Sequence, residues 1–181
     1  MIELSKLIEE INNRNNPLRD LPILGVNSSK KFMPSIANVI GADLSKYKLV
    51  KKGEFATNLM HVDRDETVPV SLLSNDACIV SPAYNVFKVK NTEICRAEYL
   101  NIVFKSKQFD RQAWFKSGSS IRGNLDWNKF LTLNINLPSI DKQCKLIAQY
   151  NTIEAKINIL SKLNDNLYEV LDLQFAKYIH D

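Results

Sequence analysis

Residues 138–178 read PSIDKQCKLIAQYNTIEAKINILSKLNDNLYEVLDLQFAKY, with no Pro or Gly after Pro138. Apolar residues recur in alternating steps of three and four: Leu146, Tyr150, Ile153, Ile157, Leu160, Leu167, Leu171 and Tyr178. That spacing is a heptad repeat, which puts them on one seam of a long helix. Ser139 precedes the pattern as a candidate N-cap, and Asp141 lies in the first turn, where the helix dipole favours an acid. About 40 residues at ~1.5 Å each make a rod of roughly 60 Å. A small domain cannot cover a seam that long, so the rod needs a second helix, and no other segment of the chain offers one. Asn164 falls where the repeat calls for an apolar residue. A buried seam Asn costs stability but fixes register or oligomeric state; the plainer alternative is a polar residue tolerated at a solvated spot. Leu163, Tyr168, Val170 and Phe175 lie off the seam and widen the apolar stripe toward the end of the rod.

The chain thus divides into a head, residues 1–137, and a rod, residues 138–181. Of 181 residues, 45% are hydrophobic, which suits a folded soluble protein with a core of its own in the head. No uninterrupted apolar window reaches the length of a transmembrane span, and the amino-terminal MIELSKLIEEINNRNN lacks a signal peptide's apolar run. Cys78, Cys95 and Cys144 are odd in number and widely spaced, which suits a reducing cytoplasm rather than a disulfide framework or a metal site. Two histidines, His61 and His180, leave little room for a histidine-based metal or triad site. The net charge of +4 is uneven: the rod holds five basic and six acidic residues, leaving 19 and 14 in the head. The excess concentrates in residues 30–64 and 105–129, which suits a head that meets a polyanion but equally an ordinary solvated surface.

Along the head, Leu4, Leu7, Ile8 and Ile11 predict a short amphipathic helix over residues 3–13. Strands are expected at 21–26, 47–50, 54–60, 67–73, 77–89 and 131–137, with turns at 51–53 and 74–76. Pro82, inside the apolar run 77–89, calls for a bulge or an edge. Helices are expected at 97–105 and 109–115, and a turn at 127–130. The head is therefore mixed, and the chain reads as α+β: a globular α/β domain followed by one long coiled-coil helix.

Catalytic chemistry is not visible. Five glycines form neither a phosphate-cradling loop nor a dinucleotide fingerprint, and there is no nucleophile elbow. Asp63, Asp65 and Glu66 flank Arg64 without an EF-hand pattern and read as a charged turn rather than a metal site. Three stretches carry recognition chemistry instead. The first is residues 27–32, with Ser28, Ser29, Lys30 and Lys31. The second is residues 58–64, with Asn58, Met60 and Arg64. The third is residues 116–124, with Lys116, Ser119, Ser120 and Arg122, preceded by Arg111. Cations and hydroxyls contact phosphates, and Arg and Asn can fork onto base edges. Each stretch is also the kind of sequence an ordinary solvated loop contains.

The order of these parts resembles one half of a type I restriction–modification specificity subunit, a target recognition domain followed by its spacer helix. The resemblance runs through Ser28-Ser29-Lys30-Lys31-Phe32, through YKLVKKGEFA at 47–56, through VSPAYNVFKV at 80–89, and through Ser119, Arg122 and Trp127. It ends at Ile135-Asn136-Leu137-Pro138 leading to Gln143 and Ile147. It implies a non-catalytic subunit that reads one half of an interrupted site in double-stranded DNA. Such a subunit binds modification subunits that methylate adenine with S-adenosylmethionine, so that cofactor is expected on the partner and none on this chain; restriction subunits can join. The family subunit has two recognition domains joined by two antiparallel helices, whereas this chain has one of each. It is therefore either a natural half subunit or a piece of a longer one. A half subunit would pair its helix with a second copy, antiparallel, and read an interrupted palindrome.

Two other classes remain open at this level. A protein-interaction adaptor would use the heptad helix without binding DNA, and the salt dependence of binding separates it from a DNA reader. An enzyme of another type would show activity in the purified chain alone.

Overall fold

The structure, a computed structural model, describes residues 1–36, 41–60, 62–118 and 125–180. Residues 1–143 form one compact unit and residues 144–181 a second.

The first unit is built on a four-stranded antiparallel sheet with strand order β2-β9-β6-β7: β2 (Ile8–Ile11), β6 (Phe55–Thr57), β7 (Val70–Leu72) and β9 (Asn85–Val89). Of its two central strands, β6 is buried throughout and β9 buries Val86, Phe87 and Val89 while Lys88 stays exposed. Phe55 and Phe87 stand opposite each other in register and stack at 5.0 Å on one face. Against them pack Phe104 of α2 (Ala97–Phe104) and Trp127 and Phe130 of α4 (Trp127–Leu131), and Phe109 of α3 (Lys107–Ser117) packs in turn on Phe104 and Phe130. The intervening Ala56 and Val86 point the other way, as period-two alternation requires. They meet a second cluster with Val26, Val50, Leu73, Cys78 and Val80. All but Leu73, which follows β7, belong to two ribbons: β3 (Leu24–Val26) with β4 (Phe32–Pro34), and β5 (Lys48–Val50) with β8 (Cys78–Val80). One sheet therefore separates an aromatic, helix-covered layer from an aliphatic, ribbon-covered layer.

The expected helix at residues 3–13 is not present. Ile2–Glu3 forms β1, paired with β10 (Asn134–Ile135), a 3-10 turn spans Leu4–Lys6, and β2 follows. Ile8 pairs with Val89 and Glu9 with Lys88, whose ammonium lies 3.1 Å from the Glu9 carboxylate. Covering the open edge of β9 outweighs the helical spacing of four apolar residues, a case of tertiary context overriding a local pattern. The strands on either side of the 51–53 turn also differ from a simple hairpin. Gly53 takes φ +86, but β5 pairs with β8 and β6 with β7 and β9. The run 77–89 is two strands, with Pro82 in the turn between them. Residues 127–130 are helical rather than a turn, capped by the Asp126 carboxylate on Asn128 N at 2.7 Å. Residues 62–65 add a short helix, α1 (Val62–Asp65).

The rod is helix α5, Ile140–His180. Its first helical bond runs from Gln143 N to Ser139 O. The compact unit takes in this first turn because Gln143, with no exposed surface, is bonded into it. Its Nε2 donates to Ile94 O and Pro138 O, each at 2.9 Å, and its Oε1 accepts Arg96 N at 2.9 Å. Farther along, the seam positions Ile153, Ile157, Leu160, Leu167 and Leu171 are 48–63% exposed within this chain. Leu146 and Asn164 are exposed as well, and Tyr150 is half-buried. The repeat meets a second polar residue at Gln174; the side chain of Tyr178 lies outside those described. Among the described residues, no helix is long and apolar enough to cross a membrane.

Candidate nucleic-acid interface

The β3–β4 hairpin carries the first recognition stretch at its tip. Asn27 organises the tip: its N–H donates to Lys31 O at 3.0 Å, its carbonyl accepts Lys30 N, and its Oδ1 accepts Lys31 N at 2.9 Å. Ser28, Ser29 and Lys31 are exposed. Lys30 takes a left-handed φ of +59, uncommon for a side-chain-bearing residue, and a buried contact holds it there. Its ammonium turns inward, leaving the residue 5% exposed, and lies 2.7 and 2.8 Å from the two Asp110 carboxylate oxygens, with Phe104 O as a further acceptor. Burial pushes its pKa down, opposed by the hydrogen bond and the charge of Asp110. Lys30 is thus a tether for the tip and not a phosphate contact, contrary to the sequence expectation.

The end of β3 that leads into the tip is set by Tyr84. Its hydroxyl accepts Val26 N at 3.0 Å and rests on Gly25, where a Cβ would come within 3.0 Å of it. Gly25 is needed there for that close approach.

The second stretch leaves β6. Asn58 Oδ1 accepts Met60 N at 3.0 Å, closing a tight turn that leaves Met60 exposed. Arg64, on α1, is exposed and pairs with Asp65 at 2.6 and 3.0 Å; that hydrogen bond raises the guanidinium pKa. Among the described residues, no group of Asp, Glu, His or Cys is arranged to hold a metal ion. His61 lies outside the described residues.

The third stretch begins at the end of α3. Arg111 is exposed on that helix. Lys116 is not the outward cation expected: its ammonium donates to Thr132 O at 3.0 Å and to Thr132 Oγ1, at the C-terminal end of α4. A cation there satisfies orphan carbonyls and the helix dipole. Ser119, Ser120 and Arg122 lie outside the described residues.

These stretches converge. Asn27, Ser35 and Ile36 from the hairpin side and Asn58 from the second stretch line one groove of about 450 Å3. The described residues on either side of 119–124 are tied to the second stretch. Leu125 N donates to Leu59 O at 3.1 Å, and Gly118 lies beside Asp63. Asp110 joins the first to α3 and to the start of β7, since its carboxylate also accepts Val68 N at 3.0 Å and Thr67 Oγ1 at 3.3 Å. In both Asn27 and Asn58 the amide oxygen is used locally. Their NH2 groups have no partner among the described residues and remain as donors at the groove. Donors of that kind suit the acceptor atoms of purine edges and phosphates. Sequence reasoning missed Asp110 and Tyr84, because each acts through a partner more than 50 residues away in the chain.

This α+β arrangement, a mixed head with one long C-terminal helix, is also found in solved structures. The HsdS subunit from Thermoanaerobacter tengcongensis aligns over 90% of this chain and 43% of its own, with a TM-score of 0.63 and 16% identity. A chain from a structure of the type I R-M system, described for complex assembly and conformational transition, aligns over 88% of this chain and 39% of its own. Its TM-score is 0.53 and its identity 13%. At these identities the likeness is one of fold, and the chain spans about two fifths of the length of the solved chains it matches. No protein-family model matches, and neither does any curated protein.

Proposed function

We propose that this chain is a DNA-recognition subunit that reads one half of an interrupted site for a type I restriction–modification assembly. The observation that carries the reading is that separate chain segments are tied together, the hairpin tip to α3 by Lys30 and Asp110 and residue 125 to the second stretch by the Leu125–Leu59 bond. The fold shared with HsdS and the type I R-M chain supports it. In this reading the chain is not itself an enzyme. It recruits modification subunits, which bring S-adenosylmethionine and the adenine methyl transfer, and restriction subunits can be added.

In this reading one copy of the chain supplies one reading unit and a second copy completes the site. The exposed seam of α5 is the surface for that pairing. We place the helices antiparallel, so that the two heads read inverted half-sites. A helix of roughly 60 Å sets them between one and two duplex turns apart, at about 34 Å per turn.

Light scattering at several concentrations tests the pairing. The expected mass is near twice 20.7 kDa, falling to the monomer in Leu160→Glu, with thermal unfolding of the head unchanged. A wild-type monomer at every concentration contradicts self-pairing.

A further inference from the structure

Residues 12–19 form a second built feature, along the edge of the β5–β8 ribbon opposite the hairpin. Asn15, 1% exposed, closes this loop on itself: Nδ2 donates to Arg19 O and Oδ1 accepts Arg19 N, both at 3.1 Å. Asn15 N bonds Tyr47 O and Leu49 N bonds Asn13 O, each at 2.9 Å, which lays the loop against β5. Arg14 sits opposite Lys48, and its guanidinium donates to Lys46 O at 2.6 Å. The locked loop closes a cleft of about 330 Å3 lined by Asn12, Asn13, Arg14, Asn16, Arg19 and Lys51.

The cleft concentrates positive charge. Among the described residues, the Arg19 guanidinium and the Lys51 ammonium make no hydrogen bond or ion pair. Lys48, opposite Arg14, is buried. Burial pushes its pKa down, the nearby Glu10 opposes this, and Arg14 lowers it further. Cations held together by a fixed backbone repel one another, a cost that an entering anion relieves.

The position of the cleft matters as much as its charge. The Arg14 segment, β5, β8 and the start of β3 lie side by side, through Arg14 with Lys48, Lys48 with Val80, and Ile23 with Ile79. Three steps of ~4.8 Å set the cleft's edge about 14 Å from β3. A DNA major groove is about 12 Å wide. With the hairpin facing a groove, the cleft comes to the phosphates on its rim.

We propose that this cleft binds the phosphodiester backbone of DNA beside the groove that the β3–β4 hairpin reads. The assignment rests on the DNA-reading function proposed above. Arg19 offers a planar fork to two phosphate oxygens and Lys51 a mobile point charge, while the Asn side chains add neutral donors. Nothing in that set distinguishes one base from another, so the cleft contributes affinity and register rather than sequence choice.

The test is the double variant Arg19→Gln/Lys51→Gln, binding short duplexes of arbitrary and selected sequence over a range of salt, read by fluorescence anisotropy. Both side chains are exposed and unpaired, so unfolding curves should match the wild type. The slope of log affinity against log salt should fall by about 1 to 2, at ~0.9 for each phosphate that is no longer neutralised, with affinity dropping evenly across sequences. An unchanged slope overturns the proposal. So does the absence of amide shifts at Asn12, Asn13 and Asn16 when duplex is titrated into the wild type. If the double variant shows the slope change while the wild type shows no sequence preference, the half-site reading fails and the backbone site stands. If the wild type binds no duplex, both fail.

Discussion

Replacing Asp110 by Asn tests the contact that holds the β3–β4 tip to α3 and to the start of β7. The carboxylate neutralises the Lys30 ammonium at 2.7 and 2.8 Å and accepts Val68 N at 3.0 Å. Asn keeps the shape but removes the charge and turns one end of the side chain into a donor facing donors. The ammonium of Lys30, a residue only 5% exposed, is then left without its counter-charge. Removing one partner of a buried pair costs about 3–5 kcal/mol, because the remaining charge is stranded. For a protein of this size that is a fall in melting temperature of roughly 6–20 °C, at about 2–4 °C per kcal/mol. The assay is urea and thermal unfolding of Asp110→Asn, Lys30→Met and the double variant. The double variant should recover most of the loss, giving a coupling of about 1.5 kcal/mol or more. Sequence-specific binding should weaken with Asp110→Asn beyond any loss of folded protein, because the 27–31 tip loses its anchor. An Asp110→Asn protein within about 1 kcal/mol of the wild type, or a cycle without coupling, would refute the clamp.

Gln143→Ala removes three hydrogen bonds from a fully buried amide and should cost about 2–4 kcal/mol in unfolding, at roughly 1 kcal/mol each plus the stranded backbone groups. The thiols should divide by burial: Cys144 reacts quickly with a maleimide or an aromatic disulfide, while Cys78 and Cys95 react only on opening or unfolding. Burial raises both of the latter from 9.0 to about 11. The unfolded thiols therefore ionise first, and stability falls as pH rises from 9 to about 11, by about 2–3 kcal/mol per thiol. The lowered Lys30 and Lys48 act in the opposite sense, so the comparison is made between the wild type and Cys78→Ala, whose stability should decline less steeply over that range.

The parts legible in the sequence were those whose signal is local and long. The rod shows because its repeat runs for many turns without Pro or Gly, and helices α2 and α3 show from their spacing. The strands showed as apolar runs, but their partners did not. Residues 47–50 and 54–60 adjoin across a Gly53 turn, yet they enter different sheets, because pairing is decided by what covers Phe55 and Ala56 on their two faces. The amino terminus misled because four apolar residues satisfy a helical period as readily as they satisfy an edge strand and a 3-10 turn. Among the candidate recognition residues, two lysines are structural, since a lysine's destination depends on an acid or a helix end far away in sequence. Asp110 for Lys30 and Thr132 for Lys116 are such partners.

The central claim, that this chain reads half of an interrupted DNA site, is tested most directly by selecting duplexes from a randomised library with the purified protein and sequencing what is retained. The expected result is an enriched short motif present twice, inverted, with a fixed gap that places the two copies between one and two turns apart. Asn27→Ala/Asn58→Ala should lose that preference while still binding duplex. Retained duplexes with no common motif, or no retention at low salt, would contradict the claim.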